Sequence, residues 1–166
     1  MRDPAKHAEF LGKLAGSRLG VWIVAIWLNE GGKAVMVPPE IKAKRHEDWA
    51  DNVDGGDIII CLPDGISTQR VEVRHIGSSF TGTDDWEHGK HFMIATCPSF
   101  DRATPRPDQW ITLSQDCEVV AVVDVEESFD HWYVEERTHG PNATEPGKRG
   151  PHYFCPLDFV KWRSTS

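Results

Sequence analysis

Apolar residues recur every three to five positions in the first part of the chain, which is the spacing of a helix that buries one face. The pattern leads into an uninterrupted apolar segment over residues 21–28 and stops at Gly31-Gly32. It predicts a long helix, or two helices with a bend, over residues 4–30, because a glycine pair is a common helix end. Residues 33–37 are then predicted to form a strand. The recurring apolar positions are Phe10, Leu11, Leu14 and Leu19.

Two short segments in the middle of the chain have the composition of strands and are separated by a turn signal. Residues 57–62 are largely apolar, and residues 68–76 alternate valine with polar residues. The Pro-Asp-Gly sequence at 63–65 favours a turn. The pattern predicts an antiparallel hairpin in which Val71 and Val73 point to the core.

The second half of the chain is predicted to consist mainly of strands and loops. Its last part is predicted to form an edge strand over residues 153–155 and a short helix over residues 156–163, because Pro156 suits the first turn of a helix. The other predicted strands cover residues 91–97, 110–113 and 119–125, and the predicted loops cover residues 102–108 and 140–151.

These elements together predict an α/β (α+β) fold with a central mixed β-sheet flanked by helices. The 166 residues, of which 39% are hydrophobic, suit a single domain over residues 1–166. The longest apolar run is far shorter than the roughly 20 residues of a membrane-spanning helix. The four cysteines form no C-x-x-C pair. We therefore expect a cytoplasmic protein with reduced thiols and no membrane partner.

The charged residues are unevenly distributed along the chain. Eighteen basic and 26 acidic residues give a net charge of -8, which opposes long-range attraction to nucleic acid. A basic cluster of Lys42, Lys44 and Arg45 precedes a run of acids that ends at Asp57. A solvated loop would have the same composition, so only the position of Asp57 gives this run a functional interpretation.

The geometry of the predicted hairpin makes Asp57 a candidate functional residue. With the turn centred near residues 64–65, residues whose numbers sum to about 129 face each other, which puts Asp57 opposite Glu72. Because side chains alternate along a strand, Arg74 shares the face of Glu72. Opposed carboxylates repel each other unless a proton, a cation or a metal ion lies between them. Their oxygen atoms are the ligands that Mg2+ and Mn2+ prefer.

An Asp at the head of an apolar strand, a turn and then Val71-Glu72-Val73-Arg74 resembles the PD-(D/E)XK nuclease superfamily, which has the restriction endonuclease-like fold. The resemblance covers the first half of the chain. The superfamily typically has a helix, three antiparallel strands, a helix and a further strand in this order. The long first helix, the strand over residues 33–37 and the hairpin follow the beginning of that order, as a helix and then an antiparallel strand meander. The resemblance implies a metal-dependent phosphodiester hydrolase that acts on DNA. It also implies that Asp57 and Glu72 bind Mg2+ or Mn2+ and that Glu9, in the first helix, is an auxiliary metal ligand.

Arg74 stands where this superfamily usually has lysine. A guanidinium keeps its proton near neutral pH, so Arg74 is expected to stabilise negative charge on the phosphate rather than to act as a general base. Lys44, His75 and Lys90 are expected to assist by contacting the substrate. The structural alternative for Arg74 is a salt bridge to Glu72 or Asp57.

Two other interpretations stay open at this point. If Arg74 only locks the acids in an ion pair, the chain would be a catalytically inactive nuclease-like domain that serves as a nucleic-acid-binding or protein-assembly module. His88 and His91 would bind zinc if a further ligand joined them, although a polar loop leading into a strand accounts for both residues. The predicted partner is DNA, and a homodimer is left open.

Overall fold

The computed structural model describes residues 18–39, 56–140 and 146–166, of which residues 18–30 are helical and form α1. Residues 4–17 of the predicted first helix, as well as the basic cluster, lie outside these ranges. The strands are β1 (Ala34–Met36), β2 (Ile58–Cys61), β3 (Thr68–His75), β4 (His91–Thr96), β5 (Gln109–Leu113), β6 (Val119–Asp124), β7 (Tyr133–Thr138), β8 (Arg149–Pro156) and β9 (Val160–Ser164). The remaining helices are α2 (Cys97–Arg102), α3 (Val125–Ser128) and the 3-10 turns Phe129–His131 and Leu157–Phe159.

Helix α1 has the apolar face that its sequence pattern predicts. Its buried residues are three or four positions apart, so they form one stripe that packs against a sheet. The helix ends where the glycine pair indicates, and Gly32 adopts a positive φ of 83°. Within the described ranges, no helix combines the length and the apolar composition that crossing a membrane requires. The buried stripe consists of Val21, Val24, Ala25 and Leu28.

The strands form two sheets. Sheet A has six strands in the order β1-β2-β3-β5-β6-β9, and sheet B has three strands in the order β4-β8-β7. Strands β1, β2 and β3 pair antiparallel, as the predicted meander requires. Strands β3 and β5 pair parallel. Sheet A is therefore a mixed sheet, which confirms that part of the predicted fold.

The two faces of sheet A are covered differently. Helix α1 packs on one face, over a core that includes Ile58, Val71 and Ile111. A second core lies on the other face, where residues of sheet B such as Phe92 and Cys155 meet Ala121 of β6. The prediction of flanking helices is thus met on one face, while the three-stranded sheet B, joined by the short helix α2, covers the other.

The C-terminal part of the chain differs from its predicted structure. The short helix predicted over residues 156–163 is wrong, because β9 occupies residues 160–164 and pairs with β6. Val160 and Trp162 are two positions apart, which suits a strand with one packed face as well as a helix turn. The predicted edge strand over residues 153–155 is instead part of β8, the central strand of sheet B.

The sequence pattern does not predict helix α2, since it indicates a strand up to residue 97 and a loop over residues 102–108. Thr96 caps the helix, since its hydroxyl oxygen accepts a hydrogen bond from Ser99 N at 3.2 Å. Pro98 lies in the first turn, where a missing N–H costs nothing. Pro98 therefore suits the start of α2, directly after β4 ends.

Candidate functional site

The β2–β3 hairpin has the register that the sequence predicts. Ile58 faces Val71 across the pair, and the Asp57 N–H donates to the Val71 carbonyl at 3.1 Å. In the turn, one oxygen of Asp64 accepts hydrogen bonds from two backbone N–H groups. Since Asp57 precedes Ile58 and Glu72 follows Val71, the two acids are the next residues beyond the Ile58–Val71 pair, at the same end of the hairpin. We refer to Asp57 and Glu72 as the acid pair.

Asp57 immediately precedes the first residue of β2. Its Oδ2 atom accepts a hydrogen bond of 2.8 Å from the Val73 N–H, in place of a carbonyl of the neighbouring strand. The carboxylate is thereby fixed against the backbone of β3. A carboxylate has about four acceptor sites, so this bond is compatible with further partners.

Glu72 is paired with Arg70, a residue that the sequence analysis did not single out. The Arg70 Nε and Nη2 atoms lie 2.7 and 2.6 Å from Glu72 Oε1. The pair is largely withdrawn from solvent, because the two side chains are only 7% and 17% exposed. Strand alternation contained the signal, since residues 70 and 72 point to the same face of β3.

Arg70 also joins the hairpin to the segment that leads into β5. Its Nη1 atom donates to the Pro105 carbonyl at 3.0 Å. Its backbone N–H donates to Asp108 Oδ2 at 2.6 Å, and its carbonyl accepts from the Asp108 N–H at 2.8 Å. The guanidinium that contacts Glu72 is therefore held by Pro105, and the backbone of Arg70 is held by Asp108, both more than 30 positions away in the sequence.

Arg74 lies on the same face of β3, as predicted, but its guanidinium serves another contact. Its Nη1 and Nη2 atoms donate to the Met93 and Ile94 carbonyls at 2.9 and 2.5 Å. It also lies over the Trp110 ring, 5.8 Å from the centroid. Burial lowers the pKa of this guanidinium from its ordinary value. The expected salt bridge to Glu72 is made by Arg70, and Arg74 instead ties sheet A to sheet B.

Two of the remaining predicted site residues, His75 and Lys90, lie within the described part of the chain. His75 lies on the opposite face of β3, where it contacts Gly20 of α1, and its Nε2 atom lies 3.4 Å from the Gln115 carbonyl. Its odd-numbered position, shared with Val71 and Val73, indicates this from the sequence alone. Lys90 is exposed just before β4. Glu9 and Lys44 lie outside the described residues.

The two histidines weighed for zinc have other neighbours. His88 Nε2 lies 2.9 Å from Ser78 Oγ, and His91 Nδ1 is hydrogen bonded to the Tyr133 hydroxyl. In the three described ranges, no group of three or more His, Cys, Asp or Glu residues is arranged to hold a metal ion. Among the described residues, the acid pair is accompanied by the guanidinium of Arg70, which contacts Glu72.

Gly56 allows Arg70 to approach the start of β2. It has a φ of 112°, and a Cβ atom at this position would lie 2.7 Å from Arg70 Cγ. We expect Gly56→Ala to lower the free energy of unfolding by about 1–3 kcal/mol from backbone strain, with the overlap adding to it. Urea denaturation measures the change.

Gly65→Ala is the matched control for this substitution. Gly65 also has a positive φ, of 71°, but among the described residues nothing beyond its two chain neighbours lies within 4 Å of its would-be Cβ. If the close approach to Arg70 matters, Gly56→Ala is clearly the more destabilising variant. Equal losses for the two variants would show that only the backbone conformation counts.

Comparison of the chain with family models, with curated proteins and with solved structures found no match.

Proposed function

We propose that this protein is a metal-dependent phosphodiester hydrolase that acts on DNA, with Asp57 and Glu72 as ligands of Mg2+ or Mn2+. The observation that carries the proposal is the β2–β3 register, which pairs Ile58 with Val71 and so brings the next residue of each segment, Asp57 and Glu72, to the same end of the hairpin. Two like charges in such a place favour a cation between them.

The donor set of the acid pair fits a hard divalent cation. Both residues offer carboxylate oxygens, and Mg2+ is commonly held by one or two carboxylates, with water and substrate phosphate as its other ligands. A bound cation would neutralise charge on the phosphate and lower the pKa of a coordinated water molecule. Asp57 and Glu72 hold fixed orientations for this role through Val73 and Arg70.

The order of elements supports the resemblance to the PD-(D/E)XK superfamily. Helix α1 is followed by the antiparallel strands β1, β2 and β3, and the chain then passes through β4 and α2 to β5, which pairs parallel with β3. Arg74 has a structural role in this proposal, because its guanidinium donates to two carbonyls of β4. His75 makes no substrate contact in it, because His75 lies on the α1 side of the sheet.

A catalytically inactive nuclease-like module is the second candidate, and one contact favours it. The guanidinium of Arg70 compensates the charge of Glu72 without a metal ion. A buried ion pair of this kind can persist for structural reasons alone. Such a module would bind nucleic acid or assemble with another protein, and it would not cleave DNA.

Incubation of the purified chain with supercoiled plasmid distinguishes these two functions. The hydrolase is expected to convert the plasmid to nicked or linear DNA with Mg2+ or Mn2+ and to leave it intact with EDTA. Calorimetric titration with Mn2+ should show binding in the same preparation. Absence of both cleavage and Mn2+ binding would reject the hydrolase, and a shift of plasmid mobility without cleavage would then support the module.

A further inference from the structure

The contact between Arg70 and Glu72 has a geometry that an ion pair alone does not require. Two nitrogen atoms of Arg70 converge on a single oxygen atom, Glu72 Oε1, at 2.7 and 2.6 Å. The contact therefore fixes where one oxygen of the carboxylate lies, as well as neutralising charge. A fork of two N–H groups has this directional property, and an ammonium group does not.

Arg70 is itself held in place by contacts other than the one with Glu72. A third nitrogen atom, Nη1, donates to the Pro105 carbonyl, and both backbone polar groups of Arg70 bond to Asp108. Gly56 packs against its aliphatic part, and the side chain is 7% exposed. An arginine anchored in this way determines the position of the carboxylate it contacts.

We propose that Arg70 is the positioning residue of the acid pair and orients Glu72 for binding of a divalent cation. This inference rests on the proposed function, because it assigns a role within the same site. Hydrogen bonds that orient metal-binding carboxylates typically change metal affinity by about 10–100-fold when they are lost. Arg70 acts through Glu72 and is not assigned a contact with the cation or the phosphate.

The test compares the Mn2+ affinity of Arg70→Lys with that of Arg74→Lys in the full chain. Both variants keep the positive charge on the same strand and face, so they differ in which contact loses its guanidinium. Calorimetry with Mn2+ alone is expected to show at least about tenfold weaker binding for Arg70→Lys and a change within about twofold for Arg74→Lys. Circular dichroism establishes that each variant is folded.

A double-mutant cycle separates positioning from general damage to the fold. In the Glu72→Gln background, Arg70→Lys should cause no further loss of Mn2+ affinity, because the carboxylate that it orients is gone. The increase in Tm with Mn2+ concentration gives a second measure of binding for a variant of low stability.

Three results would overturn the inference. The first is that Arg70→Lys binds Mn2+ as tightly as the unmodified protein does, and the second is that both lysine variants lose Mn2+ affinity by the same factor. The third is that Arg70→Lys still lowers Mn2+ affinity in the Glu72→Gln background. In each of these cases metal binding by the unmodified protein remains, so the proposed function stands. If the unmodified protein itself binds no Mn2+, the proposed function fails, and the role of Arg70 fails with it.

Discussion

Asp57→Asn is expected to reduce metal-dependent DNA cleavage by at least about 10³-fold, which corresponds to about 4 kcal/mol of lost transition-state stabilisation. Asparagine keeps an oxygen atom that can accept the hydrogen bond from the Val73 N–H, so the start of β2 should keep its conformation. What the variant loses is the negative charge that a divalent cation needs. Initial rates of plasmid nicking at a fixed Mg2+ concentration measure the effect.

Asp64→Asn is the control for this prediction, since it makes the same chemical change elsewhere on the same hairpin. Asp64 also accepts backbone N–H groups, from Ile66 and Ser67, but it lies in the turn. Its variant should cleave at the unmodified rate. Cleavage by Asp57→Asn within tenfold of the unmodified rate would remove Asp57 from the proposed metal site.

Arg74→Met is expected to lower the free energy of unfolding by about 3–5 kcal/mol, because it leaves two carbonyls of β4 without their donor. These carbonyls, of Met93 and Ile94, lie where the register between β4 and β8 shifts. The substitution also removes the cation that lies over the Trp110 ring. Urea denaturation followed by tryptophan fluorescence measures the loss.

Arg137→Met provides the comparison for a surface arginine. Its guanidinium pairs with Glu135, and the two side chains are 50% and 38% exposed, so the expected loss is about 1 kcal/mol or less. A similarly small loss for Arg74→Met would mean that water replaces the guanidinium at β4 and that this arginine does not join the sheets.

The β2–β3 hairpin was predictable because every signal it needs is local. The Pro-Asp-Gly turn sets which residues face each other, and the alternation of Val71 and Val73 with polar residues sets which face is buried. The same rule places His75 with the valines and Arg70 with Glu72. The sequence therefore contains enough information to predict on which face of β3 His75 and Arg70 lie.

The anchoring of Arg70 could not be predicted in this way. Pro105 and Asp108 reach it from 35 and 38 residues further along the chain, across the connection that holds β4 and α2. No periodic pattern specifies such a contact, because it depends on how that connection packs. The same limit applies to Arg74, whose acceptors are backbone carbonyls that carry no side-chain signature.

The C-terminal region shows a different limit, which is the ambiguity of short apolar segments. Phe159, Val160 and Trp162 fit one turn of a helix, while Val160 and Trp162 also fit one face of a strand. The pairing of β9 with β6 decides between the two, and it joins residues about 40 positions apart. Non-local pairing thus overrides the local preference of the segment.

The order of strands along the chain also bears on how this protein acquires its structure. Strand β4 belongs to sheet B but is inserted between β3 and β5 of sheet A, and β9 returns to sheet A after β7 and β8 are complete. Sheet B needs β8 and sheet A needs β9, so neither sheet can be finished during synthesis until these strands have left the ribosome. Contacts between distant segments form slowly, because loop closure must precede the gain from pairing. Nascent chains that end before β8 would carry unpaired strand edges, and such edges are sites of aggregation.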